Sequence, residues 1–245
     1  VSDSLVIIPT YNERENAESI IRKVFSLAHP FHVLVVDDGS PDGTAQIVKT
    51  LQSEFPNSLH LIERSGKQGL GTAYIEGFRW ALQKEYAYIF EMDADFSHDP
   101  DDLIRLRKAC ADKEGDLSVG SRYVKGGSVK DWSRDRIIMS YLASLYVNLI
   151  LWIGIKDSTA GFKCYTRKVL ETIDLNTIRF VGYAFQIEMK YKARRLGFKI
   201  KEVPITFVDR TQGVSKMNMG IFKEAFWGVL RMRFMRVRPA IQQNR

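Results

Sequence analysis

At 245 residues, with 45% hydrophobic and 27% charged residues, the chain is long enough for one substantial core and too apolar for intrinsic disorder. Its two cysteines, Cys110 and Cys164, exclude a disulfide scaffold or a thiolate metal site and read as reduced packing residues. The net charge of +7 is concentrated from Lys216 onward, where seven basic residues face one acid, Glu224; such a tail suits an anionic partner without choosing its kind.

In chain order, residues 5–8 form a short apolar run ended by Pro9-Thr10, and residues 14–28 carry Ile20, Ile21, Val24 and Leu27 at helical spacing. A β-branched run at 33–36 is punctuated by Asp37-Asp38-Gly39-Ser40-Pro41 and followed by a helical pattern at 44–55. Residues 59–62 and 88–92 read as the third and fourth strands, with a helix at 71–82 between them. Apolar strands alternating with helices predict an α/β fold with a mostly parallel, twisted sheet covered on both faces.

After residue 116 the pattern changes. A strand at 117–119 and a Gly-rich loop at 125–128 lead to residues 137–155, nineteen positions without a charge. That stretch reaches the length of a membrane span, but Ser140, Tyr141, Ser144, Tyr146, Asn148 and Trp152 recur on one side. The expectation is an amphipathic helix lying in the membrane interface, with a buried core helix and a membrane span as the other readings. Strands at 159–165 and 199–207 flank a helix at 183–196, and a last helix covers 219–234. The economical division is one α/β domain over 1–216 and a basic, membrane-facing helix and tail over 217–245.

Ligands of open parallel sheets bind at the carboxyl ends of the strands. Here those ends read Pro9-Thr10-Tyr11-Asn12-Glu13, Asp37-Asp38-Gly39-Ser40 and Asp93-Ala94-Asp95. An edge so acidic suits a hard divalent cation that in turn grips a diphosphate. No G-x-G-x-x-G follows the first strand, which disfavours a nicotinamide dehydrogenase, and the aromatics of the apolar helix form no polar stacking face for nucleic acid.

The strings V-I-I-P-T-Y-N-E-R-E-N, V-V-D-D-G-S-P-D-G-T, K-Q-G-L-G-T-A-Y, E-M-D-A-D-F-S-H-D-P, V-G-S-R-Y, D-S-T-A-G-F-K, G-Y-A-F-Q-I-E-M and V-D-R-T-Q-G-V-S-K span residues 6–216 in order. Together they resemble the family-two glycosyltransferases of GT-A fold, and among them the polyprenol- and dolichol-phosphate mannose synthases. The resemblance implies inverting transfer of mannose from GDP-mannose to a polyprenyl phosphate, with Mg²⁺ or Mn²⁺, by a peripheral protein at the cytoplasmic face of a membrane. A UDP-glucose or UDP-N-acetylglucosamine donor, or a non-catalytic membrane-binding scaffold, are the alternatives.

The resemblance also implies roles. Pro9, Tyr11, Glu13, Val36 and Asp38 would hold the nucleoside, and Asp93, Ala94 and Asp95 the diphosphate and metal. Ser97 stands where many relatives have a metal-binding Gln. Arg122 would sit between donor and acceptor phosphates, and Arg136 and Ser140 would take the lipid phosphate, with Arg134 a near neighbour of that site. Arg210 and Lys216 would close over the donor diphosphate, and Glu188 would orient a sugar hydroxyl or that closing segment.

Overall fold

The computed structural model describes residues 2–209 and 219–240, apart from the side chains of Tyr183 and of residues 219–225. A seven-stranded sheet organises the molecule, in the order β3 (Leu59–Glu63), β2 (His32–Asp37), β1 (Ser4–Thr10), β4 (Tyr88–Glu91), β7 (Lys163–Thr166), β5 (Leu117–Ser121), β8 (Ile200–Pro204). Only β7 runs antiparallel, wedged between β4 and β5; the other pairings are parallel.

The apolar run of β1 supplies both faces, because successive side chains of a strand alternate. Leu5 and Ile7 pack with Tyr74 and Phe78 of α3 (Leu70–Leu82) and with Phe185 and Met189 of α7 (Tyr183–Arg195). Val6 and Ile8 pack with Ile20 and Val24 of α1 (Ala17–Phe25), Val48 of α2 (Thr44–Glu54) and Leu103 and Leu106 of α4 (Asp102–Ala111). Cys110 and Cys164 are free and buried in this second face. Two helices, α4 and a short α6 (Arg167–Thr172), add to the elements expected from sequence.

The segment read as one strand at 199–207 divides in two. Pro204 has no N–H to continue the ladder, so β8 stops there. Thr206–Val208 then forms β9, which pairs in parallel with β6 (Ser128–Lys130), a strand in what was read as a loop. This small sheet sits over the carboxyl edge of the large one: Val208 N–H donates to Ser97 O, and Ser128 N–H to Ile205 O.

The long apolar helix, α5 (Arg134–Leu151), starts earlier and stops sooner than expected. Trp152 ends it in the left-handed region, and the Asn148 side chain bonds both the N–H and the C=O of Ile155. The side expected to be polar is divided, Tyr141 and Trp152 being exposed and the rest turned inward. Ser144 is buried and Ser140 and Asn148 are half-buried toward the protein, whereas Ile138, Met139, Leu142, Leu145, Leu149 and Trp152 are exposed. Among the described residues no helix is long and apolar enough to cross a membrane. The last helix, α8 (Met219–Arg233), packs Val229 and Met232 into a core with Val147 and Leu151 of α5 and Ile187 and Tyr191 of α7. The chain then returns to α6, where Ala240 N–H donates to Thr172 O.

Candidate active site

The loops that leave β1 and β2 are laced together. Asp37 accepts hydrogen bonds from Thr10 Oγ1 at 2.8 Å and from Ser40 N and Oγ at 2.8 and 2.6 Å, and Asn12 N–H donates to Ser40 Oγ. Asp37 is therefore a brace. Asp38 forms an ion pair with Arg64 Nη1 at 3.1 Å and accepts from Gln68 N–H at 3.3 Å; burial pushes its carboxyl above the ordinary range, and Arg64 opposes that shift. Gly39 has φ +67°, and a Cβ there would lie 2.9 Å from Arg64 O, so this turn requires glycine.

Of the residues assigned to the nucleoside, Tyr11 lies half-exposed with Lys67 Nζ 4.9 Å from its ring centroid. Glu13 lies just before α1, its carbonyl accepting from the N–H groups of Asn16 and Ala17, and its own N–H donates to Thr44 Oγ1. Pro9 pairs with Val36 across β1 and β2. Val36 is wholly buried in the core beneath this loop.

Beyond β4, Asp93 and Asp95 flank Ala94, whose side chain is buried among core residues. Tyr74 OH donates to Asp93 Oδ1 at 3.3 Å; burial, with Asp93 beside it, holds that phenol well above its ordinary pKa and hence protonated. Phe96 adopts φ 58°, an uncommon conformation for a non-glycine residue, and this kink turns Ser97 back so that its N–H and its hydroxyl both donate to Asp95 Oδ1. Ser97 thus supports Asp95 in addition to lining the same cavity. Among the described residues no cluster of three or more His, Cys, Asp or Glu side chains could hold a metal. Two carboxylates fit a hard ion whose remaining ligands are phosphate oxygens and water.

Arg122 follows β5 and meets a residue that the sequence reading did not single out. Its Nε and Nη2 donate to Asp157 Oδ2 and Oδ1 at 2.7 and 2.6 Å, its N–H also reaches Oδ2, and Nη2 reaches Thr159 Oγ1. Burial pushes the Asp157 carboxyl up, but the Arg122 hydrogen bonds prevail and hold it below the ordinary range. Glu202 secures the same loop by accepting from the N–H groups of Lys156 and Asp157. Arg122 also lies about 5 Å from the rings of Tyr123, Trp132 and Phe207. His98, stacked on Phe162, is fully enclosed beside it, and burial lowers its pKa to about 4, so it is neutral near pH 7.

On α5, Arg136 Nη1 donates to Asp209 at 2.7 Å and its guanidinium stands 4.0 Å over Trp132. Ser140 follows one turn later on the same side. Both line the cavity, whereas Arg134 is exposed and does not. Glu188 is fully buried in α7, where it accepts from the N–H groups of Arg179 and Phe180 and pairs with Lys192. There it supports α7, and it is not among the residues that line the cavity. Arg210 and Lys216 lie outside the described residues.

A single cavity of about 510 Å³ joins these parts. Asp93, Asp95, Ser97 and Gln186 line one part; Arg122 and Arg136 line another; Met139, Leu142, Ala143 and Val147 of α5 with Phe226 and Val229 of α8 line an apolar part. Acids at a strand end, arginines and an apolar trough in one space describe a transferase that handles a charged donor and an amphiphilic acceptor.

The chain belongs to glycosyl transferase family 2, whose model matches residues 5–174, and its fold is of GT-A type. It is similar to the polyprenol monophosphomannose synthase of Mycolicibacterium smegmatis, with 46% identity over 244 residues, 98% of this chain and 91% of that protein. The undecaprenyl-phosphate mannosyltransferase of Micrococcus luteus is 45% identical over 227 residues, covering 93% and 92% of the two chains. Among solved structures, glucosyl-3-phosphoglycerate synthase from Mycobacterium tuberculosis, in complex with Mn²⁺, UDP and phosphoglyceric acid, superposes with a TM-score of 0.69 at 16% identity, covering 95% of this chain and 78% of that one. A mannosyltransferase from Pyrobaculum calidifontis in complex with GDP-Man and Mn²⁺ gives 0.58 at 17%, covering 94% and 69%. These structural likenesses are likenesses of fold.

Proposed function

We propose that this glycosyltransferase moves mannose from GDP-mannose to a polyprenyl phosphate with inversion, working at the cytoplasmic face of a membrane. The observation that carries the proposal is the joined cavity, which brings paired carboxylates, two arginines and an apolar trough together. The two curated relatives, named for polyprenol and undecaprenyl phosphate, support the acceptor class and the sugar.

In this reading Asp93 and Asp95, the latter braced by Ser97, hold Mg²⁺ or Mn²⁺ together with the donor diphosphate. When bound, the ion supplies positive charge for the departing diphosphate. Pro9, Tyr11, Glu13, Val36 and Asp38 hold the nucleoside, and the backbone at Ala94 lies beside the diphosphate. Arg136 and Ser140 take the acceptor phosphate, and Arg122, positioned by Asp157, stands between the two anions. Arg210 and Lys216 retain their proposed place on the donor diphosphate.

An oxygen of the lipid phosphate attacks the anomeric carbon while the bond from that carbon to the GDP oxygen breaks. A phosphate monoester has its second pKa near about 6, so the attacking oxygen is already ionised at neutral pH. No general base is needed, which agrees with a cavity whose one histidine, His98, is enclosed and neutral. The protein's contribution is alignment and the neutralisation of two like-charged partners.

The exposed apolar face of α5, continued by Phe226, Trp227 and Phe234, supports peripheral binding to lipid, since monomeric proteins rarely leave such a patch to water. The test is transfer of labelled sugar to a short polyprenyl phosphate from a panel of GDP-mannose, UDP-glucose and UDP-N-acetylglucosamine. GDP-mannose should dominate. Preference for a UDP donor would replace the sugar assignment, and no product from any donor would favour a non-catalytic scaffold.

A further inference from the structure

Behind the acidic turn lies a wholly buried polar relay that the proposed reaction does not use. Glu91, the last residue of β4, accepts from Tyr165 OH at 2.6 Å and pairs with Lys163 Nζ at 3.0 Å. Lys163 Nζ also donates to Gln186 Oε1. Glu91 and Lys163 are both wholly buried, so the relay is a fixed part of the interior.

Its effect is to orient an amide. Because Lys163 takes the carbonyl oxygen of Gln186, the NH₂ group must point the other way, and Gln186 lines the cavity. Gln186 is only 3% exposed, yet among the described residues its Nε2 has no hydrogen-bond partner. An amide donor that opens only onto a cavity is satisfied there by water or by an acceptor that a ligand brings.

The place of that acceptor is set by Gly161. A Cβ on Gly161 would lie 3.5 Å from Gln186 Nε2 and 3.9 Å from Asp93 Oδ2, with no closer neighbour. A bare patch of backbone is thus flanked by the amide on one side and a proposed diphosphate carboxylate on the other. Lys190 Nζ, buried, holds the adjoining carbonyl of Ala160 at 2.5 Å and keeps this floor in place.

We propose that Gln186 is a sugar-recognition residue, its NH₂ group donating to a hydroxyl oxygen of the donor hexose lying over Gly161. The proposal rests on the reading that the donor diphosphate sits at Asp93 and Asp95, because the hexose is then within reach of Gly161. The Lys163 carbonyl contact leaves the amide with donors only on its open side, so it selects for a hydroxyl oxygen at one ring position.

A chemical mutant cycle tests this. Gln186→Leu keeps the volume and leaves Lys163 paired with Glu91; Gln186→Asn, which shortens the side chain, is the second variant should the first fold poorly. Each is assayed with GDP-mannose and with its 2-, 3-, 4- and 6-deoxy analogues, and the affinity of GDP with Mn²⁺ is measured beside them. The expected result is a fall of at least tenfold in kcat/KM for GDP-mannose, unchanged GDP affinity within about twofold, and one deoxy analogue that is penalised by the wild type and not by the variant. Equal deoxy penalties in wild type and variant, or a parallel loss of GDP affinity, would overturn it. Should the wild type reject GDP-mannose, the donor reading fails separately, and the same cycle is run with deoxy forms of the donor that it accepts.

Discussion

Arg122 and Asp157, thirty-five positions apart in the chain, form a two-pronged ion pair at 2.6 and 2.7 Å with the Asp157 carboxylate wholly shielded from water. The planar fork that the sequence suggested for two phosphates is thus already engaged by a carboxylate along one edge. Arg122 meets the cavity as a guanidinium locked in place by Asp157, between three aromatic rings.

Asp157→Asn should therefore damage both stability and turnover. Removing one member of a buried pair leaves the other charge uncompensated, at a cost of about 3–5 kcal/mol. Arg122→Lys keeps a charge but cannot form two parallel bonds, so it should also fall well short of wild type. Thermal melts and steady-state kinetics check both; wild-type values for either variant would show the pair to be incidental.

The same pair sets a pH dependence at the acid end. The Asp157 carboxyl is held below its unfolded value of about 3.9, so its stabilisation is complete above that value and is lost as pH falls through the lower, folded one. Melting temperature measured below pH 4 should fall more steeply for the wild type than for Asp157→Asn. Parallel curves would count against Asp157 as the titrating group.

The sheet was legible in the sequence because its strands are buried on both faces: the apolar runs at 5–8, 33–36 and 59–62 are continuous, and turn residues end them. The acidic edge followed from the strand ends alone. The end of α5 was not legible, since the Asn148 side chain caps it by bonding the backbone of Ile155, seven positions on. Asp157, Tyr74 and Gln186 escaped for a related reason. Each acts through a partner far away in sequence, such as Lys163, twenty-three positions before Gln186, and no local pattern marks such a pairing.

Asp95→Asn should lower turnover on the order of 10²-fold or more while leaving the fold intact, because the acid faces the cavity and Ser97 can still bond an amide oxygen. Excess chelator should abolish wild-type transfer, and Mn²⁺ or Mg²⁺ should restore it. Full turnover in chelator would remove the metal from the reading.

The apolar face of α5 gives a test of a different kind. Leu149 and Trp152 are the most exposed apolar side chains of that segment, at 70% and 74%, and neither lines the joined cavity. Leu149→Glu with Trp152→Glu should cut sedimentation with anionic vesicles at least tenfold and leave transfer to a short, water-soluble acceptor unchanged. High salt should weaken wild-type binding by screening the basic residues, each worth about 1 kcal/mol at an anionic surface. Undiminished sedimentation of the double variant would move the contact elsewhere.

Nucleotide selectivity is read most directly from thermal protection. A ligand that binds only the folded state stabilises it by about 2.7 kcal/mol at one hundred times its Kd. For a chain of this length each kcal/mol raises Tm by about 2–4 °C, so GDP with Mn²⁺ should raise it by roughly 5–10 °C. Asp38 is fixed by Arg64 and Gln68, and Tyr11 lies beside Lys67, so the loops that would receive the base are built and not improvised. A built pocket discriminates strongly when a wrong base leaves its polar groups unpaired. UDP at the same concentration should therefore protect little, and omission of Mn²⁺ should weaken GDP, because the diphosphate would then meet Asp93 and Asp95 without a cation between them. Stronger protection by UDP than by GDP would overturn the GDP-mannose donor while leaving the transferase itself in place.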